Sequence, residues 1–80
     1  MRYFFHSANG EVFTDEEGEE LADDAEARRE AVLLFAALMR DRPDAFWAEG
    51  RFSVRVIDAG GRSVAEIVAT LRASPAVLQA

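Results

Sequence analysis

Cysteine is absent from this chain, which removes both disulfide cross-links and thiolate zinc ligands as sources of stability. A reduced, cytoplasmic setting is the simplest expectation. Lysine is absent as well, so all nine basic residues are arginine. No long apolar run is present: the stretch "AVLLFAALM" at 31–39 is far short of a membrane span, and "MRYFFHSANG" turns polar too soon for a signal peptide. A soluble protein without a membrane partner is expected. Proline occurs only twice and half of the residues are apolar, a composition that argues for a folded chain.

Eighty residues make one small domain, and folding at this size hides only roughly 60% of the surface that the unfolded chain exposes. With no disulfide available, self-association is the ordinary way to bury more, and a homodimer is expected.

The net charge of -6 is concentrated. Residues 11–26 hold nine acids and no base, whereas the rest of the chain holds six acids and nine arginines. That overall sign works against direct nucleic-acid binding.

Residues 2–7, "RYFFHS", and 11–14, "EVFT", are short aromatic and β-branched runs on either side of Ala8-Asn9-Gly10, which predicts a β-hairpin. Residues 15–22 read as an acidic surface loop anchored by Leu21. A helix is predicted from Asp23 or Asp24, because either can serve as N-cap and Asp23 with Glu26 has capping-box spacing. Ala27, Ala31, Leu34, Phe35, Leu38 and Met39 then recur on one face. Pro43 is expected to end this helix near 40–42.

Residues 43–50 read as a connection carrying Phe46 and Trp47. "RFSVRVID" at 51–58 alternates as a strand should, with Phe52, Val54 and Val56 on one face, and "AGGR" supplies a turn. Residues 63–71 are ambiguous. Ser63 with Glu66 and the spacing of Val64, Ile67, Val68 and Leu71 favour a helix, while alternate residues would also serve a strand.

"RYFFH", "DEEGEEL", "EARREA" and "FSVRVIDAGGR" together resemble a family of short alphaproteobacterial proteins classed as a domain of unknown function. Its pattern is an aromatic first strand, a D-x-x-G-x-E-L loop, an alanine-rich helix and a strand ending in D-x-x-G-R. The resemblance covers about residues 2–64 and departs after Arg62. It implies a fold and no activity, and it tips residues 62–71 toward a strand. The implied fold class is α+β, β-β-α-β-β, one helix on an antiparallel sheet, with 72–80 a C-terminal tail. A weaker likeness links the "MRY" start, acidic loop and "EA"-rich helix to the N-terminal module of HicB-type antitoxins, although their DNA-binding segment has no counterpart here.

Among candidate sites, the acidic strip comes first, since clustered carboxylates can hold calcium or magnesium. With Gly18 at the sixth position of an EF-hand loop, however, Phe13 would be the first ligand, so that pattern fails. A solvated loop leading into a helix N-terminus is the plainer reading, and Glu16, Glu17, Glu19 and Glu20 could instead dock a basic partner protein. Trp47 is a second partner-binding candidate, because only one of two adjacent aromatics can easily face inward. His6 has no nucleophile beside it in sequence, and "NG" and "GG" lack the spacing of phosphate or dinucleotide loops. No catalytic residue, metal site or cofactor is expected.

Apolar residues on both faces of the sheet, Tyr3 and Phe5 against Phe4 and Val56 against Ile57, ask for a second cover. Either "SPAVLQA" at 74–80 or another subunit would supply it. The sequence thus predicts a self-associating, non-catalytic interaction protein. The alternatives are an antitoxin-like regulator that masks a basic protein, and a divalent-metal protein that uses the strip.

Overall fold

The structure, a computed structural model, describes residues 1–74. Along the chain run β1 (Arg2–Ala8), β2 (Val12–Phe13), β3 (Glu19–Glu20), α1 (Asp24–Asp41), α2 (Pro43–Glu49), β4 (Arg51–Asp58) and β5 (Ser63–Thr70). The strands form one antiparallel sheet in the order β2-β1-β4-β5, with β3 also on the outer edge of β1. The α+β class is as expected, with an additional short strand and a second helix. The expected tail falls largely on residues 75–80, which lie outside the described residues, as does most of the segment that was to cover the second face of the sheet.

The alternation read from the sequence sets which side of the sheet is buried. Phe52, Val54 and Val56 of β4 and Tyr3 and Phe5 of β1 are buried on the helix side. Val56 stands opposite Phe5, and Val54 opposite Ile67. Ala27 and Ala31 are fully buried on α1, where the lack of bulk lets the helix backbone approach the sheet. Leu21, Leu34, Phe35, Leu38, Val64 and Ile67 pack around this centre. Fully burying a large apolar side chain is worth roughly 1.5–3 kcal/mol, a large fraction of the about 5–15 kcal/mol by which a small domain is stable once chain entropy has been set against burial.

α1 starts as its sequence dictates. Asp23 is the N-cap, its Oδ1 accepting the Glu26 N–H at 2.9 Å, and Glu26 Oε1 reaches back to accept the Ala22 N–H at 2.7 Å. Pro43 ends α1 as expected, but residues 43–49 are a helix and not a plain connection. Proline lacks only an N–H that a helix start leaves unused, so the residue that stops α1 also opens α2. α2 then closes on Gly50 in the left-handed region.

Residues 63–70 form a strand, in line with the resemblance and against the local helical pattern. Ser63 pairs with Ile57 and Ala65 with Val56, so Val64 is an extra residue in a β-bulge. The bulge brings both Val64 and Ile67 onto the core. Their three-residue spacing mimics a helix for that reason.

Candidate functional site

The acidic loop completes the outer edge of β1. β3 pairs there with Arg2 and Tyr3, and β2 with Ser7 and Ala8, leaving the middle of β1 without a strand partner on that side among the described residues. Asp15 fills the gap: its Oδ2 accepts the Phe5 N–H at 3.0 Å, while its Oδ1 accepts those of Glu17 and Gly18, each at 3.1 Å. In return, the Asp15 N–H donates to His6 Nδ1 at 3.0 Å. Burial pushes the Asp15 pKa up, but the N–H donors of Phe5, Gly18 and Glu17 outweigh it and hold the carboxyl below its ordinary value.

Gly18 has φ +74, and a Cβ there would lie 2.8 Å from the Tyr3 carbonyl oxygen. Glu20 meets the N-terminal ammonium at 3.1 Å and Arg2 Nε at 3.4 Å, both exposed ion pairs worth little individually. Leu21 docks on the core and its N–H bonds the Met1 carbonyl at 2.8 Å. Every named position of D-x-x-G-x-E-L therefore has a structural use. Residues 15–22, expected as a surface loop, include a short sheet strand.

The second motif, Asp58 to Arg62, is built in the same way. Asp58 Oδ1 accepts the Gly60 and Arg62 N–H groups at 3.0 and 2.9 Å, and its Oδ2 accepts from Arg62 Nε at 3.0 Å. Arg62 Nη2 then reaches Asp24 Oδ2 at 2.7 Å, and Asp24 Oδ1 accepts the Tyr3 hydroxyl at 2.7 Å. This chain of bonds ties the first turn of α1 to β1 and to the β4–β5 turn. The Arg62 guanidinium, with help from the Tyr3 hydroxyl, holds Asp24 below the usual carboxylate range. Burial, reinforced by the Asp24 carboxylate, pushes Tyr3 up to about 12.

What the motifs leave open is a groove. α1 lies over β4 and β5, so the helix side of β1 and β2 is only partly covered. The resulting cleft of about 810 Å³ has Phe5, Leu34 and Leu38 among its walls, with Val12, Phe13 and Leu33 at its mouth. Those three mouth residues are 83%, 59% and 55% exposed, an unusual position for side chains that gain from burial. Glu11, Glu19 and Glu30 stand on its rim with Arg42 as the one base among the lining residues. At its end lies Asn9, buried yet with no side-chain hydrogen bond to another described residue.

Of the sequence-predicted site residues, Glu19 alone lines this groove. Glu16 and Glu17 sit exposed at the bend after Asp15, and Glu20 faces the N-terminus. Trp47 is 63% exposed on α2 and does not line the groove, whereas its neighbour Phe46 packs edge-to-face on Phe52 with ring centroids 5.0 Å apart. Among the described residues no group of three or more histidine, aspartate or glutamate side chains is placed to hold a metal ion. No helix among them is long and apolar enough to cross a membrane.

Apart from Glu19, the groove residues are not identified as a site from sequence. The available signal was Leu33, an apolar residue off the buried stripe, together with apolar Val12 and Phe13 in a run too short to be a normal strand.

Fold and site together define a small α+β domain, one antiparallel sheet carrying two helices, with an open apolar cleft at one edge. The chain belongs to the family described as Domain of unknown function (DUF6894), whose model matches residues 2–70. The match runs through the whole of β5, past Arg62, where the sequence was expected to depart from its relatives. No curated protein and no solved structure matches the chain.

Proposed function

We propose that this protein is a non-catalytic interaction domain whose groove seats a basic, amphipathic segment of a partner protein. The carrying observation is the pairing of an apolar cleft, open between α1 and the β1–β2 hairpin, with a rim of Glu11, Glu19 and Glu30. An amphipathic segment would bury its apolar side chains against Leu33, Leu34 and Phe13 and set its basic ones against the rim. Asn9 offers both a donor and an acceptor to the main chain of such a segment. Non-catalytic action is supported by the use of His6 Nδ1 as a structural acceptor for the Asp15 N–H. An antitoxin-like regulator is one form of this reading, since it too would mask a basic protein. Self-association belongs to the same reading as a second property of the domain.

A panel of labelled amphipathic peptides, basic and acidic, titrated with the full chain by fluorescence anisotropy at low and high salt would test this. Selective, salt-weakened binding of basic peptides is expected, with Leu33→Asp abolishing it and Glu11→Gln with Glu30→Gln weakening it. Equal binding of acidic peptides, or binding indifferent to all three substitutions, would overturn it.

A further inference from the structure

We propose that a second copy of this chain adds across the open edge of β5, giving an antiparallel β5–β5 pair about a two-fold axis perpendicular to the sheet. This rests on the geometry of the β5 edge and does not depend on the groove.

Three observations converge. First, β5 is eight residues long and pairs only with β4 among the described residues. Alternate main-chain N–H and C=O groups along its outer side therefore lack strand partners, and an edge of this kind is a template for another chain. Beyond the bulge at Val64 the usual protections are scant: "SVAEIVAT" has no proline, no lysine and a single charge. The opposite edge of the sheet is short, covered by the Asp15 strap and flanked by the acids of 11–26, so two copies meet with least repulsion at β5.

Second, α1 packs about equally on β4 and β5, which sets its axis over the space between them. With strands about 4.8 Å apart, a two-fold axis beside β5 brings the two α1 axes to roughly 10 Å from one another, the spacing at which helices pack. The flank of α1 turned away from the groove carries Val32, 57% exposed, with Phe35 and Met39. These side chains would meet their counterparts across the axis. The exposure of Val32 on a flank that also carries the half-buried Phe35 and Met39 is thereby accounted for.

Third, the strand is self-complementary in one register. Faces match only when paired residue numbers sum to an even value, and a sum of 132 would oppose Glu66 to the partner's Glu66. A sum of 134 pairs Ile67 with the partner's Ile67 on the helix side, and Val68 with the partner's Glu66 on the other side, while engaging residues 65–69, the regular stretch of the strand beyond the bulge. The outer sheet face is a weaker surface for a second copy, because His6, Arg55 and Glu66 lie at its centre.

This register makes a charge-sign prediction at Val68, which is 44% exposed and so tolerates substitution. The experiment is sedimentation equilibrium on the full chain and three variants, with circular dichroism confirming that each is folded. The native chain should be a dimer. Val68→Glu places like charges opposite each other twice and should raise the dimer dissociation constant about tenfold or more. Val68→Lys faces the partner's Glu66 and should leave the dimer as tight or tighter, more so at low salt. Val32→Glu should weaken it through the helix seam. A monomeric native chain overturns the proposal, as does a dimer indifferent to Val68→Glu and Val32→Glu, which would place the second copy on the outer face or in the groove.

Discussion

The Asp15 carboxylate accepts the main-chain N–H of Phe5 at 3.0 Å, at the point where β1 lacks a strand on its outer side. A side chain thus does the work of a neighbouring strand, and it also shapes the bend through Glu17 and Gly18. Asp15→Ala would orphan three N–H groups. Denaturant unfolding should show a loss of about 1–3 kcal/mol, and Asp15→Asn should retain part of it through its remaining carbonyl.

The neighbouring acids should behave in the opposite way. Glu16 and Glu17 are exposed and side by side, and Glu19 and Glu20 follow within three residues. Replacing Glu16, Glu17 and Glu19 with glutamine should leave thermal stability unchanged or raise it, because like-charge crowding is relieved. A marked loss of stability in that triple variant would contradict this account of the strip.

Gly18→Ala should destabilise by more than about 1 kcal/mol, since the position combines positive φ with a Cβ site 2.8 Å from the Tyr3 carbonyl oxygen. Gly61, also at positive φ but with open space around it, should tolerate alanine better in the same thermal-melt comparison.

How much of this was legible in the sequence follows from what each feature depends on. The cap at Asp23 and Glu26, the stop at Pro43 and the alternation of β4 depend on neighbours within a few residues, and each was read in place. Pro43 as a helix opener was missed because the same residue chemistry serves both ends. The pattern of 63–71 misled because the bulge at Val64 displaces an apolar side chain by one position, which imitates helical spacing. Asp15 and Gly18 act on Phe5 and Tyr3, more than ten residues upstream, so the loop's motif was visible while its purpose was not. The groove depends on where α1 settles across the sheet, and no local pattern records that.

Stability should fall at both extremes of pH, for different groups. Asp15, Asp24 and Asp58 titrate below their ordinary 3.8 when folded, so their stabilisation is present above that value and is lost as pH falls through the depressed values. Tyr3 moves the other way, from 10.0 to about 12, so its contribution is intact below pH 10 and disappears as pH rises toward 12. In melts across pH, Tyr3→Phe should flatten the alkaline arm and only reduce the acid arm, because Asp24 loses the Tyr3 hydroxyl but keeps Arg62, and Asp15 and Asp58 keep their donors.

Phe46 and Trp47 should separate cleanly. Phe46→Ala removes the edge-to-face contact with Phe52 and, since Phe46 is half-buried, should cost about 1–3 kcal/mol in urea unfolding. Trp47→Ala should fall within about 0.5 kcal/mol of the native chain, given its exposure.

The place of β1 in the sheet has a consequence for synthesis. Within this domain it is made before the other described strands, yet its only long partner among the described residues is β4, roughly fifty residues later. Until then Tyr3, Phe4 and Phe5 have only the two-residue strands beside them, and such short ladders are marginal alone. Pairing of β1 with β4 must wait until most of this domain has been made, and it then closes a loop of roughly fifty residues. During that interval the nascent chain is an aromatic segment followed by a dense run of negative charge, and that charge would help to keep it apart from other unfinished copies.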